Sequence, residues 1–127
     1  MVEMIRKVVI PAAGLGTRLL PVTKELPKEM LPIFVRGSDG RLLLKPMMQQ
    51  IFEELYDVGF REFCFIVGRG KRAIEDHFTP DYDFVSYLKT KNNEFANELE
   101  KFYEKISDST LVFTNQPRPK GFGDAVL

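Results

Sequence analysis

Two periods of apolar spacing divide this chain into elements. Arg6-Lys7-Val8-Val9-Ile10 is a short β-rich run, and Pro11-Ala12-Ala13-Gly14-Leu15-Gly16 follows with loop character, so a strand should feed a glycine loop. Prolines at 21, 27 and 32 forbid one continuous helix after Leu20, which leaves short turns and an extended piece around Met30-Leu31-Pro32-Ile33. The turn-forming run from Arg36 to Arg41 separates Ile33-Phe34-Val35 from Leu42-Leu43-Leu44, the pattern of a hairpin or surface excursion. From Pro46 to Val58, Met47, Met48, Ile51, Phe52, Leu55 and Val58 recur at three- and four-residue steps, predicting an amphipathic helix ended by Gly59.

Glu62 to Val67 reads as a strand buried on both faces, closed by Gly68-Arg69-Gly70. A short helix is expected from Lys71 to Phe78, with Thr79-Pro80 breaking it. One long helix from about Tyr82 to Ile106 should then keep Phe84, Leu88, Phe95, Leu99, Phe102 and Ile106 on one face. Thr110 to Thr114 supplies a further strand, Gln116 to Gly121 a stiff basic loop, and Gly121 to Leu127 the start of a helix on which the chain stops. Strands alternating with helices imply right-handed crossovers and a mostly parallel sheet, whose ligands bind outside the carboxyl ends of the strands. The loops at 11–18, 68–70 and 115–121 occupy that position.

Composition narrows the partners. With 127 residues, 44% hydrophobic and 28% charged, the chain can build a packed core of ordinary domain size. Eighteen Lys and Arg balance 18 Asp and Glu, which argues against nucleic acid or a polybasic membrane surface while allowing a local anion pocket. No apolar run approaches the ~20 residues of a membrane span, and no secretory pattern opens the chain, so the cytoplasm is the expected compartment. The single Cys64 excludes an intrachain disulfide and is expected to be a buried small side chain. His77 is expected in a structural or surface role. Glu75 and Asp76, adjacent on a helix, point apart and make a poor metal pair.

The glycine loop carries the candidate chemistry. Glycines directly after a strand let backbone N–H groups approach an anion, and Arg18 adds a permanently charged fork. The dinucleotide fingerprint fails because Leu19 stands where a third small residue is needed, and the P-loop fails for want of Gly-Lys-Ser/Thr. Pro27-Lys28-Glu29-Met30-Leu31-Pro32 brings a second cation between two prolines, and two cations converging on one glycine loop suit a triphosphate. Lys24 and Lys28 could equally be solvated charges balancing Glu25 and Glu29.

Taken in order, Ala13-Gly14-Leu15-Gly16-Thr17-Arg18-Leu19, Pro27 to Pro32, Lys45-Pro46 and Gln116 with Lys120-Gly121-Phe122-Gly123 resemble the sugar-1-phosphate nucleotidylyltransferases. Within them the pattern is most similar to the UTP–glucose-1-phosphate uridylyltransferases. The resemblance implies a three-layer, Rossmann-like α/β fold, of which residues 1–127 would be the N-terminal nucleotide-binding portion, with the sugar-binding remainder absent. It implies that UTP and glucose 1-phosphate give UDP-glucose and pyrophosphate by in-line attack on the α-phosphorus, with little or no turnover by these residues alone. By position, Ala12, Ala13, Gly14, Leu15, Gly16 and Thr17 would wrap the nucleotide, with Gln116 and Gly121 reading the base. Arg18 and Lys28 would be the catalytic cations, and Lys45 a weaker candidate. Magnesium would bridge the phosphates, with no protein ligand for it within these residues, and the full-length form would be a homo-oligomer. Pro117 and Pro119 resemble the thymidylyltransferase relatives, so thymine stays open beside uracil. Asp124 stands where bacterial uridylyltransferases usually have His, and the excursion from Val35 to Leu44 is longer than theirs. A non-catalytic nucleotide-sensing domain of the same fold is the remaining alternative.

Overall fold

A computed structural model describes residues 5–116 of the chain. The N-terminal run forms strand β1 (Lys7–Ala12), and the proline-punctuated stretch after it forms three 3-10 turns, Thr17–Leu19, Val22–Lys24 and Lys28–Met30. Strands β2 (Pro32–Arg36) and β3 (Leu42–Pro46) pair antiparallel as the expected hairpin, closed by Gly37 N–H on Arg41 O at 2.7 Å. Helix α1 (Met47–Val58) begins after Pro46, and Gly59, at φ 125°, ends it. Strand β4 (Glu62–Val67), helix α2 (Lys71–His77), helices α3 (Tyr82–Thr90) and α4 (Ala96–Ser107), and strand β5 (Thr110–Asn115) complete the described chain.

The main sheet has the order β1-β4-β5, all parallel, with Lys7, Glu62 and Thr110 in register at one end and Ala12, Val67 and Asn115 at the other. This mostly parallel α/β arrangement is the fold class that the alternating sequence predicts. Side chains alternate across the sheet, so Phe63, Phe65 and Val67 share one face and Glu62, Cys64 and Ile66 the other. The first face packs on α1, α2 and α4. Phe52 of α1 is fully buried there, with ring centroids 4.6 Å from Phe63, 5.5 Å from Phe78 and 6.0 Å from Phe102. The Phe78 and Phe102 rings meet Phe52 edge-on, a geometry that adds to the area they bury.

Two expectations are corrected. Cys64 is only half-buried, and its register neighbours Val9 and Val112 are 46% and 51% exposed, so this part of the sheet face is left partly open among the described residues. The long helix from Tyr82 to Ile106 is two helices. Lys91 ends α3, Asn92 takes φ 53°, and the Asn93 side chain accepts the Phe95 N–H at 2.8 Å, which turns the chain before α4. Asn is one of the few residues that tolerates the left-handed region. With the break, Phe84 and Phe95 leave the expected stripe and are exposed, while Val85, Phe102 and Tyr103 supply the buried face.

The central position of Phe52 gives a direct test. Phe52→Ala is expected to cost about 3–5 kcal/mol by leaving a cavity among four aromatic neighbours. Urea denaturation of the two chains measures it, and a loss under about 1 kcal/mol would show that the core collapses around the missing ring.

Candidate functional site

The carboxyl ends of β1 and β4 open onto a cleft of about 150 Å³. Three segments line it: Ala12 to Leu15 from the glycine loop, Thr23 to Lys28 from the turns, and Gly68 to Lys71 from the loop after β4. Four lining residues are cationic, Lys24, Lys28, Arg69 and Lys71, against one carboxylate, Glu25. A chain with no net charge thus gathers a positive excess at one end of its sheet, as anion binding requires.

Each wall has a local cause. Gly16 sits at φ 64°, and a Cβ there would lie 3.1 Å from the Thr23 side chain, so glycine is required by backbone and packing together. Buried Thr23 locks the loop by donating its hydroxyl to Gly16 O at 2.6 Å. Gly14 differs: its φ lies outside the left-handed region and a Cβ would meet nothing within 4 Å. No contact among protein atoms demands glycine at 14, and the bare backbone faces open space beside the cleft. Gly68 is a backbone junction, since a Cβ there would lie 3.3 Å from both Ala13 O and Gln116 O. Beside Lys28, the Glu29 side chain is buried, and that burial pushes its carboxyl above the ordinary range, its own backbone and the Lys28 charge pulling the other way.

The structure brings together some of the sequence-predicted residues. Ala12, Ala13, Gly14, Leu15 and Lys28 line the cleft. Gly16 shapes it through Thr23, while Thr17 and Arg18 lie on the exposed turn beyond and are not among its lining residues. Gln116 is tied to the sheet end by its backbone N–H on Val67 O at 2.6 Å. Gly121 and Asp124 lie outside the described residues. Arg69 and Lys71 line the cleft without having been singled out in sequence, where the only signal was the position of their loop at the carboxyl end of a strand. Lys45 stands elsewhere: its ammonium is 2.9 Å from Glu53 Oε1, with both side chains largely buried.

That ion pair belongs to a polar chain inside the helix layer. Gln49 Nε2 donates to Glu53 Oε1 at 3.1 Å, and Lys105 Nζ reaches Glu53 Oε2 at 3.4 Å. Gln49 Oε1 is thereby left to accept from His77 Nε2 at 2.8 Å, which puts the imidazole proton on Nε2. The His77 ring stacks on Phe102 at 5.1 Å, and burial holds its pKa below the ordinary value despite the Glu53 charge. The expected structural role of His77 is what the contacts describe.

Among the described residues no group of three or more His, Cys, Asp and Glu side chains could hold a metal, and Glu25 is engaged by Lys24 at 3.1 Å and Arg69 at 3.4 Å. No helix among them is long and apolar enough to cross a membrane.

In open α/β proteins the carboxyl ends of a parallel sheet, where this glycine loop and cationic cleft lie, are where ligands bind. The family model for nucleotidyl transferases matches residues 7–126, and the chain belongs to that family. The chain is 44% identical over 127 residues to a UTP–glucose-1-phosphate uridylyltransferase of Streptococcus pneumoniae serotype 4, covering 100% of itself and 38% of that protein. An apo UDP-glucose pyrophosphorylase superposes with a TM-score of 0.81 at 35% identity, over 97% of this chain and 41% of that one. A UDP-glucose pyrophosphorylase complexed with UDP-glucose superposes with a TM-score of 0.73 at 37% identity, over 97% and 39%. The chain therefore spans well under half the length of the relatives it matches.

The polar chain predicts a pH effect. A depressed His77 pKa means that its contribution to stability is complete above the unfolded value near 6.5 and is lost as pH falls through the lower folded value. In urea denaturation, the stability difference between the wild-type chain and His77→Gln is expected to shift against the wild type between pH 7.5 and about 5.5. A difference independent of pH would show that His77 does not titrate in this window.

Proposed function

We propose that this chain is the nucleotide-binding portion of a UTP–glucose-1-phosphate uridylyltransferase, which forms UDP-glucose and pyrophosphate. The observation that carries the reading is the cleft: four cations around a backbone left bare at Gly14, at the carboxyl ends of a parallel sheet. The identity shared with the uridylyltransferase and the likeness to the UDP-glucose complex support the choice of substrates. No nucleic acid or membrane enters this reading. A homo-oligomer in the cytoplasm and magnesium bound with the nucleotide phosphates are parts of the same proposal.

In this reading the backbone from Ala12 to Thr17 wraps the nucleotide, with Gly14 allowing phosphate to approach where a methyl group would intrude. Lys28, on a turn anchored by buried Glu29, contacts the phosphates at the reacting centre. Arg18, exposed just beyond the loop, neutralises the pyrophosphate as it leaves. Gln116, at the end of β5, and Gly121 read the base. The sugar-phosphate oxygen attacks the α-phosphorus in line as the bond to pyrophosphate breaks. Such transfers need positioning and charge stabilisation more than covalent help, and the residues present supply both on the nucleotide side. Magnesium, when bound with the nucleotide, shields phosphate charge.

The test separates Gly14 from its neighbour. Gly14→Ala is expected to leave stability within about 0.5 kcal/mol of wild type and to weaken UTP binding at least ~10-fold. Lys28→Ala is expected to weaken it by a similar factor, whereas Gly16→Ala destabilises the fold itself by about 1 kcal/mol or more. Calorimetric titration with UTP and dTTP, paired with thermal melts, reads all of these. Undiminished UTP binding by Gly14→Ala and Lys28→Ala would remove the cleft from nucleotide binding, and preference for dTTP would replace uracil by thymine.

A further inference from the structure

We propose that Arg69 is a further phosphate-contacting residue of this cleft, held on Glu25 until an anion displaces the carboxylate. The proposal rests on the reading of the cleft as a nucleotide phosphate site. Arg69 enters the cleft from the loop after β4, which neither the glycine motif nor the Pro27 to Pro32 motif includes. The loop's position is fixed from both sides. Gly68 is wedged between Ala13 O and Gln116 O, and Gly70, at φ 81°, would place a Cβ 3.5 Å from Glu25 O and 3.8 Å from Pro27 Cγ. Arg69 therefore springs from backbone that touches the glycine loop, the Glu25 to Lys28 segment and the end of β5 at once.

Its present partner is a loose one. Arg69 Nη2 lies 3.4 Å and 3.5 Å from the two Glu25 oxygens, longer than a good charge-assisted hydrogen bond, and both side chains are about 70% exposed. The same carboxylate also accepts from Lys24 Nζ at 3.1 Å. One negative charge thus serves two cations, and the trio keeps a net positive charge facing the cleft. Lys24 and, after it, Arg69 hold the Glu25 carboxyl below its ordinary range, so it remains ionised at neutral pH.

A di- or triphosphate carries more charge than this carboxylate and offers paired oxygens to the guanidinium fork, so it competes favourably for Arg69. Lys24 can retain Glu25 as Arg69 leaves. Glu25 then acts as a positioning residue. It holds Arg69 over the cleft when no anion is bound, and its removal should favour the anion.

Calorimetry on the 127-residue chain with UTP and with inorganic pyrophosphate tests this. Arg69→Ala is expected to weaken both ligands about 5–10-fold, with Arg69→Lys intermediate because charge survives without the fork. Glu25→Gln is expected to tighten both about 2–5-fold, a gain that disappears when combined with Arg69→Ala. Melting curves confirm that each variant folds, as expected for exposed side chains. If Arg69→Ala binds both ligands like wild type while Lys28→Ala weakens them, the nucleotide reading stands and Arg69 is excluded. If pyrophosphate binds in an Arg69-dependent way but UTP does not bind, the Arg69 contact stands and the nucleotide reading falls. Failure of the wild-type chain to bind either ligand overturns both.

Discussion

The close approach at Gly68 is the constraint on which the cleft depends. In a parallel sheet all three strands deliver their loops to the same end, and here β4 lies between β1 and β5. Its outgoing chain must therefore pass between the ends of its neighbours. A Cβ at 68 would lie 3.3 Å from the carbonyl oxygens of Ala13 and Gln116, and the strand ends would have to give by a few tenths of an ångström. The missing Cβ lets the glycine loop, the Arg69 loop and the end of β5 converge within one small space. Without that convergence, Lys28 and Arg69 would be separate surface charges, each screened by solvent within about 8–10 Å at ordinary ionic strength.

The same logic explains why two polar systems coexist without mixing. The cleft cations are exposed, and two of them, Lys24 and Arg69, share one carboxylate, so excess charge is available to a ligand. The Lys45, Gln49, Glu53, His77 and Lys105 chain is saturated: each Glu53 oxygen receives a lysine, and Gln49 joins Glu53 to His77. A charge buried in that way is costly to unpair and has nothing left to offer. Both systems contain a lysine that the family pattern draws attention to, and burial and partners decide between them. Lys28 is exposed and lines the cleft, whereas Lys45 is an internal strut.

Much of this was legible in sequence because it depends on local chemistry. The Met47–Val58 helix follows from apolar spacing and its flanking Pro46 and Gly59, and the hairpin follows from glycine-rich turn residues between apolar runs. The break at Asn92 was missed because aromatic residues on both sides continue a helical period, and one left-handed residue with one side-chain hydrogen bond overrode it. The half-exposed face at Val9, Cys64 and Val112 was missed for another reason. Apolar runs report what a strand is made to be buried against, and such a run cannot tell which covering elements the described residues include. Arg69 is legible in sequence only through its loop's place at the end of a strand, because its contacts join loops distant in sequence.

Gly14 and Gly16 show where motif reading stops. In sequence they are two equivalent letters of one loop, both explained by close approach to phosphate. In three dimensions Gly16 is spoken for by the protein, since its left-handed backbone and the packed Thr23 would demand glycine even if no ligand existed. Gly14 meets neither demand, and an L residue could stand there without strain or collision. A position that tolerates a side chain structurally, in bare backbone lining a cationic cleft, points to whatever enters the cleft from outside. The glycine that the fold does not need, beside four cations, thus points to an anionic ligand.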